Sequence, residues 1–580
     1  MATEHLLDEF PPVATEAWEA AIVRDLKGAD YNKRLVWQSP EGLAVKPYYR
    51  SSDLKGLSWM GAAPSEFPFV RGNGATGDWR IREEIAVSDA AEANRMAVAA
   101  VAAGAEEIAF TGVSIDGAAR LELLLKHLDE IHVHVAAASE QVIELVLERL
   151  KMQPNASRIS TGSDALANVD FAAKAIAAAP AGFVPFSIHA EKFETAGATA
   201  VEEIGFALAA GVDFLAAMSE RGVDAGRAVA AIEFSFAVGS NFFFEMAKLR
   251  AFRMAWAQAA ESFGVAKEAA RARITARTSR WNKTVYDPHV NVLRATTEAM
   301  SAALGGASSV VVAPFDECYR QPDEASRRLA RNTQLLLKHE ALLSRVCDPG
   351  GGSYYLETLT DFLAREGWKR LQEIESKGGF RKAEGAIAEA LAKSQAAREK
   401  AVVSRRRVLV GTNQYANAAE RALEQIDEER MHGGPRGALV YEELRLRTER
   451  HAAAGGKTPR VLLAEIGDVK MRAARSGFTA NFFACAGFEM VTQRFKKAEE
   501  IAAEAADLIV LCSSDPEYAE LVAGLLPKLQ EAGRATPVLI AGNPEGAEQL
   551  AAQGVADFVH VRSNPVEVLS KWQQKLGIGN

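Results

Sequence analysis

Short apolar runs alternate with longer helix-period segments twice along this chain, first over residues 85–395 and again from residue 458 onward. Few architectures accept that pattern, because strands separated by helices must lie parallel and be covered by their crossovers. In the first region the strand-like runs are Glu107–Thr111, His132–Ala136, Val184–Ile188, Ile232–Ala237, Ile274–Thr278 and Ser309–Ala313, with helix-like stretches such as Thr199–Ala210 and Phe242–Ala260 between them. About 300 residues of such alternation are expected to close into a (β/α)8 TIM barrel. Six strands are legible, and the remaining two are inferred from the length. In the second region Val461–Glu465, Glu489–Thr492, Leu508–Cys512, Val538–Ala541 and Phe558–Val561 predict a small doubly wound domain of flavodoxin type. A ligand of such a domain is expected at the carboxyl ends of the strands.

The expected α/β organisation is an arm over residues 1–40, a barrel over 41–395, a linker over 396–457 and the second domain over 458–580. The arm carries Trp18, Ile22 and Leu26 at spacings of four, a stripe with nothing of its own to bury against. The linker holds Arg405-Arg406-Arg407, the breaker Gly433-Gly434-Pro435 and a charged helix over Tyr441–Arg450. Its charges read as a solvated face or an interface with a partner.

Lys and Arg number 67 against 76 Asp and Glu, a net charge of −9 with no long basic block, which gives no reason to expect nucleic acid or an anionic membrane. Cys318, Cys347, Cys485 and Cys512 form no ligand-spaced pair, so neither a disulfide framework nor a cysteine zinc site is expected. The first residues are acidic where a targeting signal needs positive charge, and no stretch nears the ~18 apolar residues of a membrane span. A cytoplasmic protein is expected.

Several segments then resemble one family in register. Asp25-Leu26-Lys27-Gly28, Leu35-Val36-Trp37, Glu41-Gly42 and Pro47-Tyr48 come first. Ala196–Glu203 (AGATAVEE), Gly239-Ser240-Asn241-Phe242-Phe243 with Glu245–Arg250 (EMAKLR), and Asp287-Pro288 to Gly306 follow. Asp316-Glu317, Ala330–Gln334 (ARNTQ) and Asp348–Tyr355 (DPGGGSYY) complete the order. Over nearly its whole length the chain resembles the cobalamin-dependent acyl-CoA mutases of the methylmalonyl-CoA mutase family. That resemblance implies a radical 1,2-shift on a CoA thioester. The cofactor supplies the chemistry, while the protein must hold cobalt, exclude water and polarise the thioester carbonyl.

The residues that would meet those demands depart from the family pattern. Where the family carries Asp-x-His-x-x-Gly with a cobalt-ligating His, this chain reads Asp468-Val469-Lys470-Met471-Arg472, and no His occurs between His451 and His560. His560 is expected to belong to a strand end. Cys512-Ser513-Ser514-Asp515 keeps two serines, Ala541-Gly542-Asn543-Pro544 loses one glycine of a pair, and Val561-Arg562-Ser563-Asn564 replaces a Gly-rich turn. In the acyl site, Ala190-Glu191-Lys192 stands for Gly-Tyr-His, with His189 three positions out of register. Thr275–Trp281 (TARTSRW) stands for HCQTSGW, Ser309–Glu317 for SLHTNALDE, and Asn73–Asp78 for a tyrosine-bearing loop. Groups able to stabilise developing charge are replaced at all four places.

Arg331, Asn332, Asp348 and Tyr355 read as structural, and Phe242-Phe243-Phe244 as core. His132 and His134 share one strand face without a third ligand, so no metal site is expected. No catalytic, cofactor-binding or metal-ligating residue is assigned to this chain. The resemblance implies the small, non-catalytic subunit of a heterodimeric methylmalonyl-CoA mutase, with adenosylcobalamin in the catalytic large subunit. Two alternatives stand beside it: an active mutase subunit taking cobalamin from another chain, and a stand-alone acyl-CoA-binding scaffold.

Overall fold

The computed structural model describes residues 10, 13–136, 138–153 and 158–579. Eight parallel strands close a barrel: β1 (Arg80–Ile85), β2 (Glu107–Phe110), β3 (His132–Ala136), β4 (Ile159–Asp164), β5 (Val184–His189), β6 (Ile232–Val238), β7 (Ile274–Thr278) and β8 (Ser309–Val311). Closure comes from β8, which pairs with both β7 and β1. The six strands legible in the sequence are present. The two inferred only from length are β1 and β4, whose sequences, RIREEI and ISTGSD, are the most polar of the set.

The long outer helices explain several of the shared motifs. Thr199 opens helix Ala200–Glu220 with a capping box, its hydroxyl accepting from Glu202 N while Glu202 takes Thr199 N. That helix packs on Tyr354–Glu375 through paired glycines. A Cβ on Gly205 would fall 3.1 Å from Gly367 O and 2.5 Å from Arg370 Cβ, so only glycine permits the approach. In the run Phe242-Phe243-Phe244 only Phe244 is core; Phe243 is about half exposed, because it stands on the outward side of the first helical turn. That corrects the reading of all three as core.

A buried charge node ties the motifs together. Arg250 Nε meets Asp348 Oδ1 at 3.0 Å and its Nη2 meets Glu357 Oε1 at 3.0 Å, while Arg71 Nη1 meets Asp348 Oδ2 at 2.9 Å. Glu357 also pairs with Arg71 and accepts from Gly352 N and from Trp59 Nε1. Arg71, Arg250 and the stretch carrying Asp348 and Glu357 come from three distant segments, so this node fixes how those segments meet.

The second domain is a parallel sheet of β9 (Arg460–Glu465), β10 (Glu489–Arg494), β11 (Leu508–Cys512), β12 (Val538–Ala541) and β13 (Asp557–Val559), in the order β10-β9-β11-β12-β13. That is the 2-1-3-4-5 order of flavodoxin-like domains.

Between the two sheets, helix Leu439–Ala453 buries charges that the sequence suggested were solvated or offered to a partner. Arg436 pairs with Glu442 at 2.7 Å, both fully buried, and the Arg445 guanidinium lies 3.6 Å from the Tyr286 ring centre. Glu449 accepts from Tyr286 Oη at 2.8 Å. The periodicity alone could not reveal that this helix has both a barrel and a second domain to pack against.

The arm behaves differently. Helix Thr15–Asp25 has no buried residue. It touches its own chain by Trp18 stacked on Tyr48 at 4.4 Å and by Arg50, which donates to Thr15 Oγ1. Phe10, Val13 and Val23 stay exposed. Among the described residues, no helix is long and apolar enough to cross a membrane.

The charge node yields a prediction. Arg250→Met leaves Asp348 and Glu357 buried with Arg71 as their one remaining ion-pair partner, and breaking a buried pair from one side costs about 3–5 kcal/mol. Urea denaturation of the variant should show a loss of that order; a loss below ~1 kcal/mol would show the node to be incidental.

Candidate functional site

Alternate residues of a barrel strand point into the lumen, and here many of them are charged. Arg82 on β1 reaches Glu107 on β2 at 2.6 Å and, across the barrel, Glu233 on β6 at 3.5 Å. Arg80 and Ser309 Oγ hold the other oxygen of Glu107 at 2.8 and 2.7 Å. His134 on β3 contacts Glu233 at 3.3 Å and Ser160 Oγ at 2.9 Å, and Ser187 donates to Glu233 at 3.4 Å. Arg82, Glu107, His134 and Glu233 are all buried. Toward the carboxyl ends, Arg277 on β7 joins Glu84 at 3.0 Å to Glu317 at 2.8 Å. Nearby, Glu191 links His189 to Ser235.

These groups are locked in charge state. Burial alone would raise the pKa of Glu107, but Arg82 and Arg80 outweigh it and hold the carboxylate ionised. Glu233 is likewise lowered against its burial, chiefly by Arg82. For His134, burial and then Arg82 push the pKa down to about 4, so the ring is neutral at pH 7. His189 faces acceptors at both nitrogens, Glu191 Oε1 and Gly162 O, each at 3.1 Å. A general acid or base needs a pKa near the working pH and a free face toward substrate. Glu107, Glu233 and His134 lack the first, and His189 lacks the second.

The positions aligned with the family's acyl site have structural duties. Lys192 and Glu191 stand just beyond β5, and Glu191 is consumed by His189 and Ser235. Thr278 Oγ1 accepts from Ala313 N, and Ser279 Oγ donates to Glu194. Trp281 carries the guanidiniums of Arg398 and Arg407 at 4.1 and 4.3 Å from its ring centre, so residues beyond the barrel pack over its β7 loop. The Asn73–Asp78 loop precedes β1 and lies at the barrel's other end, where Asn73 Nδ2 donates to Ala272 O. Arg331 pairs with Glu83 at 2.6 Å, Asn332 is exposed, and Tyr355 packs between Tyr49 and Phe243. His132 and His134 do share the lumen face, and no metal-holding cluster occurs among the described residues.

In the second domain Asp468 caps helix Val469–Ala484, its Oδ1 accepting from Met471 N at 2.7 Å, and Lys470 is exposed. Arg475 crosses the strand ends, donating to Tyr518 Oη at 2.7 Å and pairing with Asp515 at 2.6 Å. A Cβ on Gly542 would meet Arg475 Nη1 at 2.5 Å, so the arginine fills the space a glycine leaves open there. Glu517 accepts from both Ser513 and Ser514 hydroxyls, which hold its pKa to about 2. His560 Nδ1 accepts from Arg562 N. With no imidazole on the β9 side and side chains filling the loops, these residues do not fit a corrinoid ligated by the protein.

Arg82 escaped the sequence reading because β1 was not recognised as a strand, and the roles of Glu107, Glu233 and Arg277 escaped it because their ion-pair partners lie on other strands. The usable signal was Arg80-Ile81-Arg82-Glu83-Glu84-Ile85, where buried Ile81 and Ile85 bracket charges on the opposite face.

The methylmalonyl-CoA mutase family model matches residues 38–146 and 155–455. The methylmalonyl-CoA mutase small subunit of Porphyromonas gingivalis is 38% identical, with 99% of each chain covered. The small subunit of Streptomyces virginiae is 32% identical over 99% of this chain and 98% of its own. The large subunit of the same organism is 30% identical, over 78% of this chain and 69% of its own.

The lumen geometry sets a pH dependence. His134 is depressed from 6.5 to about 4, so it contributes stability that is present above pH ~6.5 and lost as pH falls through ~4, on the order of 3 kcal/mol. Comparing the unfolding free energy of wild type and His134→Gln between pH 7 and 4 isolates this contribution. The variant should show the shallower decline, and parallel curves would contradict the assignment.

Proposed function

The chain belongs to the methylmalonyl-CoA mutase family, and we propose that it is the non-catalytic small subunit of a heterodimeric methylmalonyl-CoA mutase. The observation that carries this reading is the ion network across the barrel, Arg82 with Glu107 and Glu233. A thioester threaded along the barrel would have to displace buried charges from one another, and each charge stripped of its partner costs several kcal/mol. No group in that network is free to polarise a carbonyl or move a proton. The second domain supports the same reading, since Arg475, Tyr518 and Glu517 occupy its strand ends.

When bound in the catalytic subunit, adenosylcobalamin supplies the radical chemistry that interconverts methylmalonyl-CoA and succinyl-CoA; the role of this chain is to hold that subunit. Homologous chains can pair through equivalent surfaces, giving a pseudo-symmetric dimer in which one half reacts. The arm is the part of this chain that most needs a partner. No residue of its helix is fully buried on its own chain, and Phe10, Val13 and Val23 remain in solvent. An obligate interface of this type would bury upward of ~2,000 Å².

Two outcomes follow from this reading. The isolated chain should convert no methylmalonyl-CoA even with saturating adenosylcobalamin, whereas the co-expressed pair should; turnover by this chain alone would refute the reading. Deleting residues 1–30 should weaken co-migration with the large subunit in gel filtration while leaving the thermal unfolding of the barrel nearly unchanged. Co-migration as strong as that of the full chain would place the interface elsewhere.

A further inference from the structure

At the end of the barrel where the strands begin, below the Arg82 layer, a cavity of about 350 Å³ opens to the surface. Arg80, Arg158 and Arg273 line it together with His132, Glu107 and Glu233. The two carboxylates are already engaged: Glu107 by Arg80, Arg82 and Ser309, and Glu233 by Arg82, His134 and Ser187. Among the described residues, the Arg158 guanidinium makes one hydrogen-bond contact, to the neutral ring of His132 at 3.2 Å. Among the described residues, no carboxylate lies within 4.0 Å of the guanidinium of Arg158 or of Arg273. Arg273 is largely withdrawn from water, and that burial lowers its pKa; the Glu233 and Glu107 carboxylates beyond ion-pair distance oppose the shift, while Arg80 and Arg82 add to it.

Four guanidiniums therefore face two carboxylates around one cavity, and the two that lack a carboxylate partner are on its wall. A pair of planar, five-donor forks without an ion-pair partner, Arg273 half-buried in the recess and Arg158 exposed at its mouth, is a receptor for a tetrahedral or forked anion. The surplus of two positive charges matches a dianion, and low-dielectric walls strengthen that attraction. The remaining wall, formed by Leu150, Pro180 and Phe183, is apolar, and the volume exceeds what a bare phosphate fills. We propose that this cavity binds a small phosphorylated metabolite, its phosphomonoester dianion held between Arg158 and Arg273 and its organic part against the apolar wall. The site is a blind recess, since the Arg82 network closes it from above, and it does not depend on the subunit reading.

The test is isothermal titration of the full chain, using inorganic phosphate and phenyl phosphate as probes. Both should bind saturably, phenyl phosphate about tenfold or more tighter through the apolar wall. Arg158→Gln, at an exposed position that does not endanger folding, and Arg273→Gln should each weaken phenyl phosphate about tenfold or more, as loss of a charge-assisted pair predicts. Arg273→Lys, which keeps charge but loses the fork, should fall between. Absence of saturable binding up to about 10 mM, a weak limit for any specific site, would overturn the proposal, as would affinities unchanged in both glutamine variants. Equal affinity for the two probes would overturn the assignment to an organic phosphate.

Discussion

The guanidinium of Arg82, set between Glu107 and Glu233 in the middle of the barrel, is the contact from which the character of this protein follows. A buried arginine is tolerable only when its charge is matched and the remaining polar atoms around it are satisfied. The barrel matches the charge and most of these atoms with neighbours from strand after strand: Arg80 on β1, His134 on β3, Ser160 on β4, Ser187 on β5 and Ser309 on β8, leaving Arg82 Nε without a partner among the described residues. Most of the lumen is committed once this set is in place. A (β/α)8 barrel normally reserves the carboxyl ends of its strands for chemistry; here Arg277, Glu84 and Glu317 use that space to neutralise one another.

The charge node outside the barrel gives several of the shared motifs a structural duty that does not depend on catalysis. Arg250 and Asp348 lie in segments that resemble the acyl-CoA mutases, and with Arg71 and Glu357 they hold three pieces of chain in one arrangement. Their geometry is a requirement of the scaffold, which any family member needs whether or not it turns over substrate. Kinship is therefore written in these residues, while activity depends on the lumen and on the second domain's strand ends, where Arg475 and Glu517 have replaced openness with internal hydrogen bonds. Fold and function separate within one chain.

How much of this was legible in sequence divides along the same line. Strands whose two faces both meet apolar surroundings, such as Leu508–Cys512 and Val538–Ala541, announce themselves by composition and were placed to the residue. Arg80–Ile85 and Ile159–Asp164 did not, because their lumen faces are polar and the hydrophobic signal falls to one side. The helix Leu439–Ala453 failed for a related reason. Its buried charges, Glu442 with Arg436 and Arg445 over Tyr286, look solvated until the partner segments are brought beside them. The missing family histidines were readable, since an absence in the sequence needs no structure to be noticed. What replaced it was not, because an ion network is a property of strands brought together from across the chain.

The central claim is that this chain contributes a closed scaffold to an enzyme with a single working half. Equilibrium dialysis of the purified heterodimer against adenosylcobalamin, with cobalt counted per pair of chains, tests it most directly. The account predicts one cobalamin per heterodimer, bound with the large subunit. Two per heterodimer, or one that remains with this chain after the subunits are separated, would contradict it.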